Sequence, residues 1–531
     1  MAIGDLILKL GMLLVFFGVM IFVGFYCRKH STDVNGFVLG GRSVGPWLTA
    51  FAYGTSYFSA VIFVGYAGQF GWKFGLAATW VGIGNAIIGS LLAWVILGRR
   101  TRVMTQHLGS ATMPDFFEKR FSSPSLKIAA SIVIFIFMIP YTASLYNGLS
   151  RLFGMAFSID YSVCVIVMAV LTAIYVIVGG YMATAVNDFI QGLIMLVGIV
   201  AVIAAVLSSK GGFMASLNGL AAASDPTIPN GEVPGIFNSF FGPDPLSLLG
   251  VVILTSLGTW GLPQMIGKFY AIKSEGSIHK GTIISTVFAI IVAGGCYFLG
   301  GFGRLFSAEL GAAAGGNPQG GFDNVIPTML SSLSPFLLAV VIILVLSASM
   351  STLSSLVLTS SSTVTLDLIK GRMVKNMDEK KQLLVLRVLI VVFIVISAAL
   401  AIVQSKTGIA FIAQAMGISW GAMAGAFLAP FLYGLYWKRT TAAGCWASML
   451  FSTVFMTIDM LGNLKAISLN LGFLQSPINA GAFCMIAGLI LVPLVSLLSR
   501  KPDKAFVDNI FSCYERKVTV LAKDSIETEE P

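Results

Sequence analysis

The chain has 531 residues, of which 56% are hydrophobic and only 11% are charged, and its formal net charge is +10. A soluble domain needs more polar surface than this, so the composition predicts a polytopic all-α membrane protein. The basic residues fall mainly between alternate apolar segments. They therefore indicate orientation in a membrane and argue against a nucleic-acid partner.

Apolar runs separated by polar, glycine-rich or proline-rich loops predict thirteen transmembrane helices. Placing the N-terminus outside puts most of the 33 lysines and arginines on the inner side, as the positive-inside rule requires. The odd number of spans then puts the C-terminus in the cytoplasm. We expect the membrane to be the plasma membrane of the cell. The predicted spans are residues 5–27, 47–66, 77–97, 128–150, 161–179, 186–208, 247–267, 282–303, 331–358, 388–405, 410–434, 441–462 and 478–499.

The second predicted span contains "AFAYGTSYFSA", residues 50–60, in which glycine and hydroxyl residues interrupt an apolar helix. The sixth span carries an acid, Asp188, near its inner end. An ionisable group in an apolar helix is a candidate functional residue. The alternative is a side chain wetted by the cytoplasm at the membrane surface.

The seventh span contains "TSLGTWGLPQ", residues 255–264, where Gly258, Gly261 and Pro263 weaken the helix. Each interrupted helix is the first of a set of five consecutive spans, and the two interrupted helices have opposite orientations. This layout predicts a transporter built from a 5+5 inverted repeat, whose broken helices meet near the middle of the membrane. The alternative is ordinary glycine at helix crossings together with a proline kink.

The inverted repeat suggests a division of the chain into six parts. They are an N-terminal extra helix with its cytoplasmic loop, the first repeat, an extracellular loop, the second repeat, two peripheral helices and a cytoplasmic tail. Their predicted boundaries are residues 1–46, 47–208, 209–246, 247–434, 435–499 and 500–531.

The ninth span carries the hydroxyl-rich stretch "LSASMSTLSS", residues 346–355. Ala348, Ser351, Thr352 and Ser355 follow a spacing of three and four, so they share one helical face. Sodium is a hard cation that prefers oxygen ligands, which hydroxyls and peptide carbonyls supply without added charge. The alternative is close helix packing by small residues, and we favour it for Ser347, Ser349 and residues 360–363.

Several motifs resemble those of the sodium:solute symporter family, in the family's order and over most of the chain. "FVLGGRS" (37–43) resembles the segment before the first core helix, and "GGYMATAVNDFIQG" (179–192) resembles a loop with its following helix. "GLPQMIGKFYAIKS" (261–274) resembles another family segment, with Lys268 in place of the usual arginine. "SASMSTLSS" (347–355) resembles the sodium-binding helix, and "LYGLYWKRTTAAG" (432–444) resembles a later cytoplasmic turn.

The resemblance implies the LeuT-like inverted-repeat fold and Na⁺ as the coupling ion. It also implies a sodium site formed by the hydroxyls of Ser351 and Thr352 and by three backbone carbonyls, those of Ala348, Thr55 and Phe58. Only backbone released from helical hydrogen bonds can serve there, which gives the interruption of the second span a reason.

Some relatives hold a second sodium between the acid of the sixth span and serines of the ninth span. Asp188, Ser354 and Ser355 stand at those positions here. The sequence therefore permits a second sodium site without requiring one.

The substrate is harder to predict from the sequence. Apolar residues follow the first break (Ala60 to Phe63), which argues against a sugar. Tyr141 aligns with a substrate-binding aromatic residue of the sodium/proline branch. That branch, however, has an acid where Tyr57 stands and aromatics where Thr255 and Thr259 stand, which argues against proline itself.

The stretch "TSYFSA" (55–60) resembles the pantothenate and monocarboxylate branch more closely. We therefore expect a small amino acid or carboxylate, and the alternative is another solute such as proline, pantothenate or a sugar. Unwound backbone at the breaks offers N–H groups to a carboxylate. The candidate substrate-binding residues are Tyr57, Ser59, Tyr141, Thr255, Thr259 and Trp260. For Tyr57 an interfacial anchor, and for Trp260 plain packing, are equally good interpretations.

Three other classes of function fit the sequence less well than a symporter. A channel needs a continuous polar stripe along several helices, whereas polarity here clusters near the middle of the spans. A membrane enzyme needs chemistry such as HExxH or paired acids within spans, and the sequence contains neither. A transceptor with a fused signalling domain does not fit the short tail after residue 500. We therefore expect no enzymatic activity and a sodium-coupled importer, with the solute, sodium and lipid as its partners.

Overall fold

The computed structural model describes residues 3–28, 32–157, 159–313, 315–370, 374, 377–407, 412–464, 466–468 and 470–515. Within these residues the regular elements are helices, accompanied by two isolated backbone bridges. The predicted tail, residues 500–531, lies partly outside this description. The α-helices are α1 (Ile3–Cys27), α2 (Val34–Leu39), α3 (Pro46–Tyr57), α4 (Ala67–Phe74), α5 (Thr79–Gly84), α6 (Arg99–His107), α7 (Met113–Phe121), α8 (Pro124–Phe157), α9 (Tyr161–Ser209), α10 (Phe213–Ala221), α11 (Pro245–Leu257), α12 (Pro263–Ala271), α13 (Glu275–Ala289), α14 (Gly295–Gly300), α15 (Val325–Ser331), α16 (Pro335–Thr363), α17 (Glu379–Thr407), α18 (Ile412–Tyr436), α19 (Ala442–Asn463), α20 (Pro477–Leu498) and α21 (Lys504–Phe511).

Several α-helices continue into tighter or wider helical turns. The 3₁₀ segments are Gly40–Arg42, Gly75–Ala78, Ile236–Asn238, Gly258–Trp260, Gly303–Phe306, Phe322–Asn324, Gly472–Gln475 and Ser512–Tyr514. The π segments are Val61–Tyr66, Asn85–Leu92, Trp94–Gly98, Ile290–Gly294 and Val364–Ile369. Such wide turns leave some carbonyls free for other partners and are frequent at functional sites.

Eleven helices in the described residues are long and apolar enough to cross a membrane, so the expected number of thirteen is not confirmed. The difference arises where consecutive predicted spans share continuous helical turns. Residues 61–107 form one such stretch, and 161–179 contains only the shorter apolar helix Tyr161–Ile174. The first two residues of the predicted span 410–434 lie outside the described residues.

Two glycines with positive φ mark turns inside these continuous stretches. Gly75 has φ +62° between α4 and α5, and Gly180 has φ +56° and ψ −152° within α9. A residue with a Cβ is strained in this region of backbone space. The chain therefore changes direction at both positions although the helical turns run on with almost no loop.

The two expected interruptions are present in the structure. α3 ends at Tyr57, Phe58 is extended with φ −98° and ψ 133°, and helical backbone resumes at Ala60. α11 tightens into the turn Gly258–Trp260, Leu262 is extended, and α12 starts at Pro263. Proline at the start of α12 is favourable because its missing N–H has no helical partner at that position.

The core lies around α16 and α18, while α1 lies at the periphery. Within an apolar 18-residue stretch of each helix, 94% of the residues are buried in α18 and 72% in the stretch containing α16, compared with 33% in Ile7–Cys27. α16 packs against α3, α8 and α9. The hydroxyl-rich helix therefore faces the first interrupted helix instead of lipid.

A close crossing of α4 and α14 gives a test of this packing. A Cβ added to Gly71 would lie 2.0 Å from the carbonyl oxygen of Gly300, which is backbone and cannot rotate away. We expect Gly71→Ala to lower stability by about 1–3 kcal/mol or more because the helices must separate. Thermal unfolding in detergent would measure this, with Gly18→Ala as the control because its Cβ meets no atom within 4 Å. Equal melting temperatures for the two variants would contradict the crossing.

Candidate functional site

The break after α3 places backbone groups against the hydroxyl face of α16. Because Phe58 is extended, the carbonyls of Thr55 and Phe58 turn toward α16. The N–H of Ala60, just past the break, donates to Ser349 Oγ at 3.3 Å. Sequence reasoning had assigned Ser349 to packing alone. The spacing of the serines along α16 does not indicate that Ser349 would accept a hydrogen bond from the backbone N–H of Ala60.

The hydroxyl of Thr352 lies among three backbone carbonyl oxygens. It is 3.1 Å from Ala348 O, 3.1 Å from Phe58 O and 3.4 Å from Thr55 O. Ser351 Oγ donates to Thr55 Oγ1 at 2.8 Å. The structure therefore brings together all five residues that the resemblance gave to the first sodium.

This group of oxygens suits a small hard cation. A hydroxyl has one proton and can donate it to only one of the three carbonyls at a time. A sodium ion would attract all of the carbonyls and both hydroxyl oxygens simultaneously, and oxygens are the ligands that hard cations prefer. The residues fit the ion, and their role as sodium ligands remains a prediction.

The three residues of the second expected sodium site are arranged differently. Asp188 in α9 is fully buried, and its Oδ2 lies 3.7 Å from Nζ of Lys268 in α12. The same ammonium donates to Ser355 Oγ at 2.9 Å. Ser354 instead donates to the carbonyl of Ser351 on its own helix. Asp188 and Ser355 are thus joined through Lys268, Ser351 also lies beside Asp188, and Ser354 bonds within its own helix.

Lys268 is a residue whose position the sequence could have flagged. The sequence places Lys268 among the basic residues on the inner side, just past the predicted span 247–267, and marks it as a replacement for an arginine. The structure buries it within the helix bundle, where an ionisable side chain is a functional candidate by default. The sequence does not show that Lys268 pairs with Asp188, because the two residues are eighty positions apart along the chain.

Two expected substrate-binding residues, Ser59 and Tyr141, lie at the first break or on α8 beside it. Both are buried, and their hydroxyls make no hydrogen bond of normal geometry within the described part of the chain, although Ser59 and the Trp420 indole lie beside the Tyr141 hydroxyl. The Tyr141 ring contacts Trp420 of α18 with centroids 5.9 Å apart, and Trp420 in turn packs on Gly258 at the second break. Trp420 thus connects Tyr141 with the second break, a contact that sequence reasoning missed.

The other expected substrate-binding residues lie at or beside the second break, apart from Tyr57. Thr259 Oγ1 donates to Gly89 O at 3.1 Å, and Trp260 Nε1 donates to Ile88 O at 2.9 Å, both in the π segment after α5. Thr255 donates to Val251 O on its own helix. Tyr57 is the last residue of α3, and its side chain lies outside the described atoms. Thr259 and Trp260 thus fasten the second break to its neighbouring helix.

Comparison with known proteins gives consistent results. A profile of the sodium:solute symporter family matches residues 37–452. The osmoregulated proline transporter OpuE of Bacillus subtilis is 29% identical over 94% of this chain and 96% of its own length. The sodium/proline symporter of Staphylococcus aureus is 31% identical over 94% of each chain.

Among solved structures, a Na⁺-coupled sialic acid symporter in a substrate-bound, outward-open state has the same fold. Its TM-score is 0.74 at 16% sequence identity, over 94% of this chain and 99% of that one. At this identity the likeness concerns the fold, which is the LeuT-like architecture expected from the two broken helices. Because the family profile spans most of its length, this chain belongs to the sodium:solute symporter family and is a sodium-coupled solute symporter.

Proposed function

We propose that this protein imports a small amino acid, with proline as the first candidate, by binding sodium between α3 and α16. The observation that carries the proposal is the convergence of three carbonyls on the Thr352 hydroxyl at the break in α3. An ion bound there joins the interrupted helix to α16. Such a link can couple ion binding to the movement that alternates access between the two sides.

The solute class is inferred from the first break and from relatives. Ser59 and Tyr141 offer two buried hydroxyls that suit a carboxylate. Residues 60–64 after the break are apolar and buried, which suits a compact side chain better than a sugar. Two relatives are named proline transporters, so proline is to be tested first despite the differences at Tyr57, Thr255 and Thr259.

We also propose an orientation in the plasma membrane, with the N-terminus outside and the C-terminus in the cytoplasm. It is supported by the distribution of basic residues along the loops. It puts the ion pairs Arg99–Glu275 and Lys438–Asp508 on the inner side. The pairs Lys210–Glu309 and Arg304–Asp225 then lie on the outer side.

The test uses purified protein in liposomes with an inward sodium gradient. Labelled proline, other small amino acids, short monocarboxylates and pantothenate are offered in turn. We expect accumulation of one amino acid that collapses when sodium is equal on both sides. Uptake that is indifferent to sodium would contradict the proposed coupling, and preference for a monocarboxylate or pantothenate would replace the proposed solute.

The solute site makes a separate prediction. Removing both hydroxyls in Ser59→Ala/Tyr141→Phe should raise the KM for the solute by at least about 100-fold, because each hydrogen bond to a charged group contributes about 1.5–3 kcal/mol. The sodium dependence should stay close to that of the wild type. Ser397→Ala is the control, since it removes a buried hydroxyl on α17 that also lacks a described partner. An unchanged KM in the double variant would show that the solute binds elsewhere.

A further inference from the structure

Lys268 and Asp188 form an ion pair deep within the helix bundle. Asp188 is 0% exposed and Lys268 is 3% exposed, and their charged atoms are 3.7 Å apart. Neither is on a loop: Asp188 follows the turn at Gly180 in α9, and Lys268 lies in α12 directly after the second break. A charge buried in this way is stable only beside an opposite charge or a set of polar partners.

The surroundings of the ammonium resemble those of a bound monovalent cation. Nζ donates to Ser355 Oγ at 2.9 Å and faces the Tyr181 ring at 5.3 Å. Ser355 Oγ is also 3.0 Å from Ser56 Oγ in α3. The ammonium thus has a carboxylate, a hydroxyl and an aromatic face around it, and through Ser355 it reaches the first interrupted helix.

The same two groups, Asp188 and Ser355, are those that the sequence assigned to a second sodium. A sodium ion cannot use them while the ammonium is in place, because two positive charges a few ångströms apart in a buried site repel each other strongly. Ser354, the third expected ligand, donates to the carbonyl of Ser351 on its own helix. The residues at this position therefore do not fit a second sodium ion.

We propose that the ammonium of Lys268 is a built-in cation that takes the place of a second sodium beside Asp188. Each transport cycle then carries one sodium, the ion bound near Thr352. This proposal rests on the proposed sodium site, and the two sites adjoin at Ser351, which lies beside both Thr55 and Asp188. Ser355 lies three residues from Thr352 on α16, which is about 4.5 Å along the helix, so the fixed charge acts close to the mobile one.

The first measurement is the number of radioactive sodium ions bound per purified transporter, together with the Hill coefficient for sodium in uptake. We expect one ion and a coefficient of about 1 for the wild type. Lys268→Gln removes the charge and leaves Asp188 free, so it should bind two ions. Lys268→Arg, which keeps a cation, and Lys268→Gln/Asp188→Asn, which removes both charges, should each bind one.

A second measurement covers the case in which Lys268→Gln does not fold because Asp188 is left without a partner. The reversal potential of wild-type liposomes gives the number of charges moved with each neutral solute, and we expect one. Two charges, two bound ions in the wild type, or a folded Lys268→Gln that binds only one ion would each overturn the proposal for Lys268.

The outcomes also separate this proposal from the sodium site itself. If one sodium ion still binds in the Ser351→Ala/Thr352→Ala variant, the site near Thr352 is contradicted. The same result would support a count of one sodium ion per transporter, as proposed from Lys268. Binding of two ions by the wild type, one of them lost in Ser351→Ala/Thr352→Ala, would support the site near Thr352 and overturn the role of Lys268. A wild type that binds no sodium would contradict both.

Discussion

The double variant Ser351→Ala/Thr352→Ala is expected to abolish concentrative uptake of the solute. The two hydroxyls supply oxygens beside the carbonyls of Ala348, Thr55 and Phe58. A polar contact to a charged group contributes about 1.5–3 kcal/mol, so the loss of two should raise the sodium concentration for half-maximal uptake by at least about 100-fold. Uptake in liposomes at a series of sodium concentrations measures this.

The matched control for this variant is Ser360→Ala/Ser361→Ala, which also removes two buried hydroxyls from α16. Neither of those hydroxyls has a hydrogen-bond partner in the described structure, so their removal leaves no group unsatisfied. We expect less than a twofold change in sodium dependence. If both double variants behaved like the wild type, the hydroxyl cluster would serve packing only.

The number of coupled ions sets how far the solute can be concentrated. A tenfold sodium gradient supplies about 1.4 kcal/mol, and a membrane potential of about 100 mV adds about 2.3 kcal/mol per charge. One sodium therefore supports roughly 500-fold accumulation of a neutral solute. Two sodium ions would square this limit, so the built-in charge of Lys268 has a direct consequence for the steepest gradient that the transporter can maintain.

Arg304→Met is expected to destabilise the protein by about 3–5 kcal/mol, because it leaves a buried carboxylate without its charged partner. Arg304 Nη1 donates to Asp225 Oδ2 at 2.8 Å, and its Nε donates to Trp72 O at 2.8 Å. Arg304 is 6% exposed and Asp225 is 1% exposed. The pair joins α4 to the loop of residues 209–246, so the measured effect would be a lower melting temperature in detergent.

Two further variants test this interpretation. Lys210→Met breaks a more exposed pair with Glu309, where a loss of less than about 1 kcal/mol is expected. Asp225→Asn/Arg304→Met should recover part of the stability that Arg304→Met loses, because the buried charge is gone. A melting temperature of Arg304→Met equal to that of the wild type would mean that the loop is held by other contacts.

The same pair predicts a dependence on pH. Burial alone would raise the pKa of Asp225, but hydrogen bonds from Thr227, Arg304 and the backbone N–H of Gly316 outweigh it and hold the pKa below its ordinary value. The stabilisation is therefore present above the ordinary pKa of about 3.9 and is lost as the pH falls through the lower, folded value. The melting temperatures of the wild type and Asp225→Asn should converge in that acidic range. A gap that stayed constant would contradict this.

The sequence by itself was enough to predict a membrane protein, the two interrupted helices and the hydroxyl face of α16. Hydropathy, glycine and proline positions and helical periodicity are local properties, so they can be recognised without a structure. The number of spans was not predictable in the same way. An apolar run shows that a helix can lie in a membrane, but turns at Gly75 and Gly180, which decide where one span ends, depend on single backbone angles.

The tertiary structure alone decided which distant groups meet. Thr259 and Trp260 face the helix after α5, and Ser349 caps the N–H of Ala60. Above all, the ammonium of Lys268 lies where the sequence had permitted a sodium ion. These contacts join residues far apart in the chain through the reach and direction of individual side chains. A hydrophobic pattern does not show how far a side chain reaches or in which direction it points. The position of the Lys268 ammonium beside Asp188 could therefore be found only in the folded protein.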